Sequence, residues 1–153
     1  MSLYCFNTST IRNCGLSLRE KIEIIAQAGY GAIELWVAEI EAYLKDGGSL
    51  AQLKAMAEKN ELKVVNLIAF PQWASPDDQV RQDALAEAVA IFETARVLDC
   101  PYVAAPPMGL TERTDIPLAD IAGRYRDLMA ATAHLPVKPL LEFWGHSQTL
   151  GSL

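Results

Sequence analysis

The sequence predicts an α/β fold of consecutive βα units, about five of the eight that close a (β/α)8 barrel. Three observations carry that expectation. Short apolar segments begin near residues 3, 32, 63, 102 and 139, a recurrence of roughly 30 to 40 residues. Each gap holds helical periodicity or capping signals, and right-handed crossovers between such strands force a parallel sheet with helices outside. Polar or aromatic residues (Asn7, Glu34, Gln72, Glu142) follow the ends of several strands, where barrel folds place their chemistry. No G-x-G-x-x-G or P-loop follows any strand, so the usual nucleotide-binding reason for an open doubly wound sheet is missing. A complete barrel takes roughly 250 residues. No linker, low-complexity stretch or charge block divides residues 1–153, which therefore read as one partial domain.

The elements follow in order. Leu3-Tyr4-Cys5-Phe6 is a short strand that runs into polar Asn7-Thr8-Ser9-Thr10. Ser17-Leu18-Arg19-Glu20 has capping-box spacing, and Ile22, Ile25 and Ala26 continue a helical apolar face that stops at Gly29. Ala32 to Trp36 is the second strand, with Glu34 near its end. Ala38 to Lys45 forms a short helix closed by Asp46-Gly47-Gly48. Ser49 to Gln52 repeats the capping box and starts a helix through Leu53, Met56 and Ala57 that ends near Asn60. Lys63 to Ala69 is the third strand, β-branched and without alternation, as expected when both faces are covered. Phe70-Pro71-Gln72-Trp73 leaves it as an aromatic loop.

Ser75-Pro76-Asp77-Asp78 places a cap, a first-turn proline and acidic residues at the start of the longest helix, which runs to about Leu98. Ala84, Ala88, Ile91 and Ala95 give that helix a face suited to close packing on a sheet. Tyr102 to Ala105 is the fourth strand, cut off by Pro106-Pro107. Residues 116–134 form the next helix, with Leu118, Ile121, Leu128 and Met129 facing inward, and Pro136 ends it. Leu140 to Phe143 is the fifth strand.

The formal net charge is −6 and Lys and Arg are scattered, whereas binding a phosphate backbone by counterion release needs a basic surface; no nucleic-acid partner is expected. Cys5, Cys14 and Cys100 show neither metal-ligand spacing nor an even count, and read as reduced thiols of a cytoplasmic protein, Cys5 and Cys100 packed in the core. No window reaches the roughly 20 apolar residues of a membrane span, so no membrane partner is expected.

The stretch that concentrates polar chemistry is Pro139-Leu140-Leu141-Glu142-Phe143-Trp144-Gly145-His146-Ser147-Gln148. A short apolar run, which reads as a buried strand, ends in a carboxylate, an aromatic pair and an imidazole. Together with Cys5-Phe6-Asn7, Ala28-Gly29-Tyr30 to Ile33-Glu34, Glu41 to Asp46, and Ala95-Arg96-Val97-Leu98 to Pro101-Tyr102-Val103, it resembles the xylose isomerase-like sugar phosphate isomerase/epimerase superfamily. Within that superfamily it is most similar to the inosose (2-keto-myo-inositol) isomerases of inositol catabolism. The likeness covers the whole chain and the N-terminal half or a little more of such an enzyme.

The resemblance implies a TIM barrel, a divalent metal ion (Mn, Zn, Co or Mg) and proton transfer between adjacent carbons of a polyol or ketose through an enediolate. It implies that Glu142 is both a metal ligand and one of the two carboxylates that move the proton. The ligands expected after strands six, seven and eight have no counterpart in residues 1–153, so metal binding by this chain alone is expected to be weak or absent. Gln148 corresponds to a substrate-contacting position of related ketose epimerases. His146 either contacts substrate hydroxyls or is an exposed loop residue. Glu34 lines the substrate pocket or joins a buried ion pair, and Asn7 binds substrate or ties the first strand to its neighbour. Trp36, Phe70, Trp73 and Trp144 either wall a polyol site or pack in the core. A five-strand wall leaves apolar surface and backbone groups uncovered, which predicts a homo-oligomer, a dimer. The rival expectation is a catalytically incompetent half-barrel that self-associates or complements another chain.

Overall fold

The computed structural model describes residues 4–151. Five strands form one parallel sheet in the order of the sequence: β1 (Cys5–Asn7), β2 (Ala32–Trp36), β3 (Lys63–Ile68), β4 (Tyr102–Ala105) and β5 (Lys138–Leu141). This order decides between the two candidate architectures. A doubly wound sheet reverses at a switch point and carries helices on both faces. With right-handed crossovers, an unreversed order puts every helix on one face, which is the wall of a (β/α)8 barrel, five units wide.

The helices are α1 (Leu18–Gln27), α2 (Val37–Lys45), α3 (Leu50–Lys59), α4 (Asp78–Val97) and α5 (Leu118–Thr132). Both predicted capping boxes form: the Ser17 and Ser49 side chains accept from the amides of Glu20 and Gln52, whose side chains accept from the cap backbones in return. The helices press one apolar face onto the sheet. Ile22, Ile33, Leu35, Leu53, Leu67 and Phe92 are among its fully buried side chains. The predicted α4 face of Ala84, Ala88, Ile91 and Ala95 is buried throughout. A second cluster surrounds Trp73 beneath α4 and α5.

Several boundaries and faces differ from expectation. The predicted start of the first strand at Leu3 lies outside the described residues, and β1 continues through Asn7, which pairs with Glu34. Residues Thr8–Cys14 wind into 3-10 turns. α4 begins at Asp78 rather than at Pro76, because Asp77 is the cap, accepting from the amides of Gln79 and Val80 at 2.9 and 3.0 Å. Ser75 is instead buried in the preceding loop. On α5 the buried stripe is Ile121, Leu128 and Thr132, while Leu118 and Met129 are exposed, 62% and 49%, instead of facing inward. β5 starts within a residue of the expected position near 139 but ends at Leu141, short of the predicted Phe143, and it admits Pro139, since it is the outer strand of the described sheet and one of its sides needs no amide donor. Cys100 is buried as expected, but Cys5 is exposed, because β1 is the other outer strand.

Two loops at the strand ends are tied together. The Ala74 amide donates to the Met108 carbonyl at 3.1 Å, and Arg124 on α5 donates to the Ala74 carbonyl at 2.7 Å. Gly109 permits that approach: its φ is +91°, and a Cβ there would lie 2.7 Å from the Ser75 backbone. No described helix is long and apolar enough to cross a membrane.

Candidate functional site

Side chains along a strand alternate between faces. Since Ile33, Leu35, Leu67 and Val103 point into the helical layer, Glu34, Asn66 and Ala104 point the other way, into the concave side of the wall. A cavity of about 290 Å³ opens there. Its polar lining is Asn7, Glu34, Asn66 and Glu142, and its apolar lining is Ile68, Ala104, Leu140 and Leu141. A larger hollow of about 390 Å³ between Lys54, Leu62 and Leu98 sits where β3 and β4 begin, the end of such folds associated with stability rather than chemistry.

The polar residues form a directed chain. Trp36 Nε1 donates to Asn7 Oδ1 at 3.0 Å, Asn7 Nδ2 donates to Glu34 Oε2 at 3.0 Å, and Asn66 Nδ2 donates to Glu34 Oε1 at 3.2 Å. An indole N–H can only donate, so it fixes the orientation of the Asn7 amide, which in turn presents N–H to Glu34. Asn7 Oδ1 also caps the 3-10 segment by accepting from the Ser9 amide at 3.0 Å. Strand register puts these groups at one level: Asn7 opposes Glu34, and a shift between Ile33 and Glu34 skips Val65 so that Glu34 opposes Asn66.

Glu142 stands one residue past β5, its amide reaching the Ala105 carbonyl at 3.4 Å and so prolonging the ladder. The side chain is half-buried in the cavity. Burial, and then the charge of Glu34, hold its carboxyl above the ordinary carboxylate range. Beyond it runs a row of rings: Trp36 packs edge-on against Phe70 with centroids 5.3 Å apart, Phe70 lies 6.2 Å from Trp144, and Trp144 lies 5.0 Å from His146.

The structure therefore brings together Asn7, Glu34 and Glu142, with His146 exposed at the far end of the aromatic row. Gln148 is exposed and turned toward Glu112, to which its side chain donates at 3.4 Å. Trp73 is a correction. It is 1% exposed and donates to the Pro106 carbonyl at 2.8 Å, so its one polar atom is satisfied inside the second cluster and its rings serve packing, not the cavity. Asn66 was not anticipated. The signal was present as a lone polar residue within Val64 to Ile68, where a buried amide needs a partner.

Among the described residues no three His, Cys, Asp or Glu side chains cluster as metal ligands. Glu142 and Glu34 bring two carboxylates to the cavity, whereas a divalent ion takes three or four protein ligands. The residues in hand do not complete a metal centre.

A sequentially ordered parallel sheet with helices on one face and carboxylates at its strand ends defines one wall of a (β/α)8-type protein. The xylose isomerase-like TIM barrel profile matches residues 22–152, and the chain belongs to that family. It is 29% identical over 150 residues to the inosose isomerase of Halalkalibacterium halodurans, covering 94% of this chain and 51% of that protein. It superposes on the crystal structure of the IolI protein with a bound zinc atom, with a TM-score of 0.78 and 28% identity over 95% of this chain and 52% of that one. D-psicose 3-epimerase from Clostridium cellulolyticum H10, solved with D-tagatose, shares the fold at a TM-score of 0.75 and 16% identity, covering 97% and 55%. The chain spans about half the length of the relatives it matches.

Proposed function

We propose that the chain carries part of the active site of a sugar or inosose isomerase/epimerase, which moves a proton between adjacent carbons of a hydroxy-ketone through an enediolate. The observation that carries this reading is Glu142 at the end of β5, facing a cavity already occupied by the fixed carboxylate of Glu34. A carboxylate whose proton affinity is raised by burial and by a like charge is better matched to proton abstraction near neutral pH than an exposed one. The ring row from Trp36 to His146 offers apolar faces for the C–H surface of a polyol. In the same reading Asn7 and Glu34 bind hydroxyls, and His146 and Gln148 act from the loop after β5. Glu142 is the carboxylate suited to meet a divalent ion such as the zinc of the IolI relative, with the remaining ligands supplied from outside the described residues.

The test is solvent exchange. Inosose incubated in D2O with the chain and an excess of a zinc salt, to offset the incomplete ligand set, is expected to incorporate deuterium beside the ketone above the zinc-only control, followed by proton NMR. Glu142→Gln is expected to slow that incorporation by at least about 100-fold. Equal incorporation by the two proteins would overturn the assignment of Glu142.

A second reading is favoured by one further observation. Leu140, Leu141 and Phe143, at the end of β5 and just past it, are 43%, 37% and 45% exposed, an uncovered apolar edge at the cavity. In this reading the wall is incompetent alone and turns substrate over only as a homodimer or on meeting another chain. Exchange then rises with the square of protein concentration, and light scattering shows the dimer. A monodisperse monomer that supports exchange removes it.

A further inference from the structure

We propose that Asn66 sets substrate specificity by accepting a hydrogen bond from a hydroxyl of an uncharged polyol, with Glu34 beside it as a second acceptor. The proposal deepens the functional reading above and rests on it. Asn66 is 9% exposed, and its Oδ1 finds no donor in the protein. A buried carbonyl oxygen left in that state is costly and calls for a partner. Turning the amide over does not relieve it, because the oxygen would then face Glu34, whose other side is held by Asn7 and, through it, by the donor-only indole of Trp36. The chain of bonds has one permitted direction, and it ends in an acceptor.

The cavity next to that acceptor narrows what the donor is. Of its lining side chains, Ile68, Ala104, Leu140 and Leu141 offer no polar atom, Glu34 and Glu142 are carboxylates, and none is basic. Asn7 commits one of its two amide hydrogens to Glu34, so the carboxylates outweigh what donor capacity is left. The lining thus presents acceptors and negative charge, which suits hydroxyl groups and disfavours phosphate or carboxylate at this place. The register shift at Ile33/Glu34 matters for the same reason: it seats Asn66, and not Val65, opposite Glu34, so that the two acceptors lie side by side.

The test compares ligands and variants by NMR titration of the chain. The probes are inosose, the set of its mono-deoxy analogues, and a phosphorylated inosose. Wild type is expected to shift its Asn66 side-chain amide signals on adding inosose, and to bind one deoxy analogue roughly three- to tenfold more weakly than inosose. Asn66→Leu is expected to bind those two alike. Asn66→Ser, which retains a small acceptor, serves where the leucine variant does not fold, and is expected to reduce the discrimination without abolishing it. Undiminished discrimination in both variants overturns the role of Asn66 while leaving the polyol reading intact. Failure of wild type to bind any of these polyols overturns both, and tighter binding of the phosphorylated probe overturns the assignment to uncharged ligands.

Discussion

Glu39→Ala tests whether a polar cluster under the first two loops holds this wall together. Lys21 on α1 has a side chain 6% exposed, and its Nζ lies 2.5 Å from Glu39 Oε1. The fully buried Thr8 donates its hydroxyl to Glu39 Oε2 at 2.5 Å. One carboxylate in the first turn of α2 thus serves α1 and the 3-10 segment at once. Removing it strands a buried ammonium, a loss that costs about 3–5 kcal/mol when one partner of a buried pair goes. Glu39 is 21% exposed, so water offsets part of the loss and the low end, about 3 kcal/mol, applies. At a urea dependence of about 2 kcal/mol per molar, the unfolding midpoint falls by about 1.5 M. Lys21→Met removes the charge that needs pairing. In that background Glu39→Ala should cost only about 1 kcal/mol, the hydroxyl's lost bond. Urea unfolding of the four proteins, followed by circular dichroism, closes the cycle. A midpoint shift below about 0.5 M for Glu39→Ala, or full additivity of the two substitutions, would refute the reasoning.

Three further outcomes are expected. Gly109→Ala should destabilise the chain by about 2 kcal/mol or more, since it adds a positive-φ penalty to a Cβ placed 2.7 Å from the Ser75 backbone; a loss under about 0.5 kcal/mol contradicts the close approach. Cys100 is buried, with its thiol pushed up to about 11 by burial, so iodoacetamide at neutral pH should modify exposed Cys14 and spare Cys100 until the chain unfolds. Equal labelling of the two in the folded protein contradicts this. The raised Glu142 carboxyl means the folded chain favours its protonated form, so stability should decline as pH rises from the ordinary carboxylate range through the raised value. Glu34→Gln removes the like charge and should shift the Glu142 Cδ titration seen by NMR to lower pH; an unmoved midpoint contradicts the coupling.

Much of the fold was readable because its signals are local. Capping boxes at Ser17 and Ser49 act within four residues, and the apolar period of α4 lies within one helix. Errors arose where a distant contact overrode a local cue. Ser75-Pro76 has the sequence of a helix start, yet the loop around it is held by Met108 and Arg124, so the cap passes to Asp77. Leu118 and Met129 are apolar but fall off the stripe that α5 turns toward the second cluster. Strand order, which settles barrel wall against doubly wound sheet, is a property of pairings between segments and has no residue of its own.

The site divides along the same line. Glu142 was legible because a carboxylate directly after an apolar strand is unusual in itself, and the motif around it carried the family likeness. Asn66 was not, because its meaning comes from Glu34, 32 residues earlier, and from a register shift that no local pattern announces. Trp73 shows the converse: an aromatic in a strand-end loop has the composition of a sugar wall, and only the Pro106 carbonyl reveals that its N–H is already taken. A residue type at a strand end therefore nominates a site, but the direction of the hydrogen bonds decides it. Trp36 donates, Asn7 relays, Glu34 accepts twice, and the one acceptor left without a protein donor is the buried Oδ1 of Asn66.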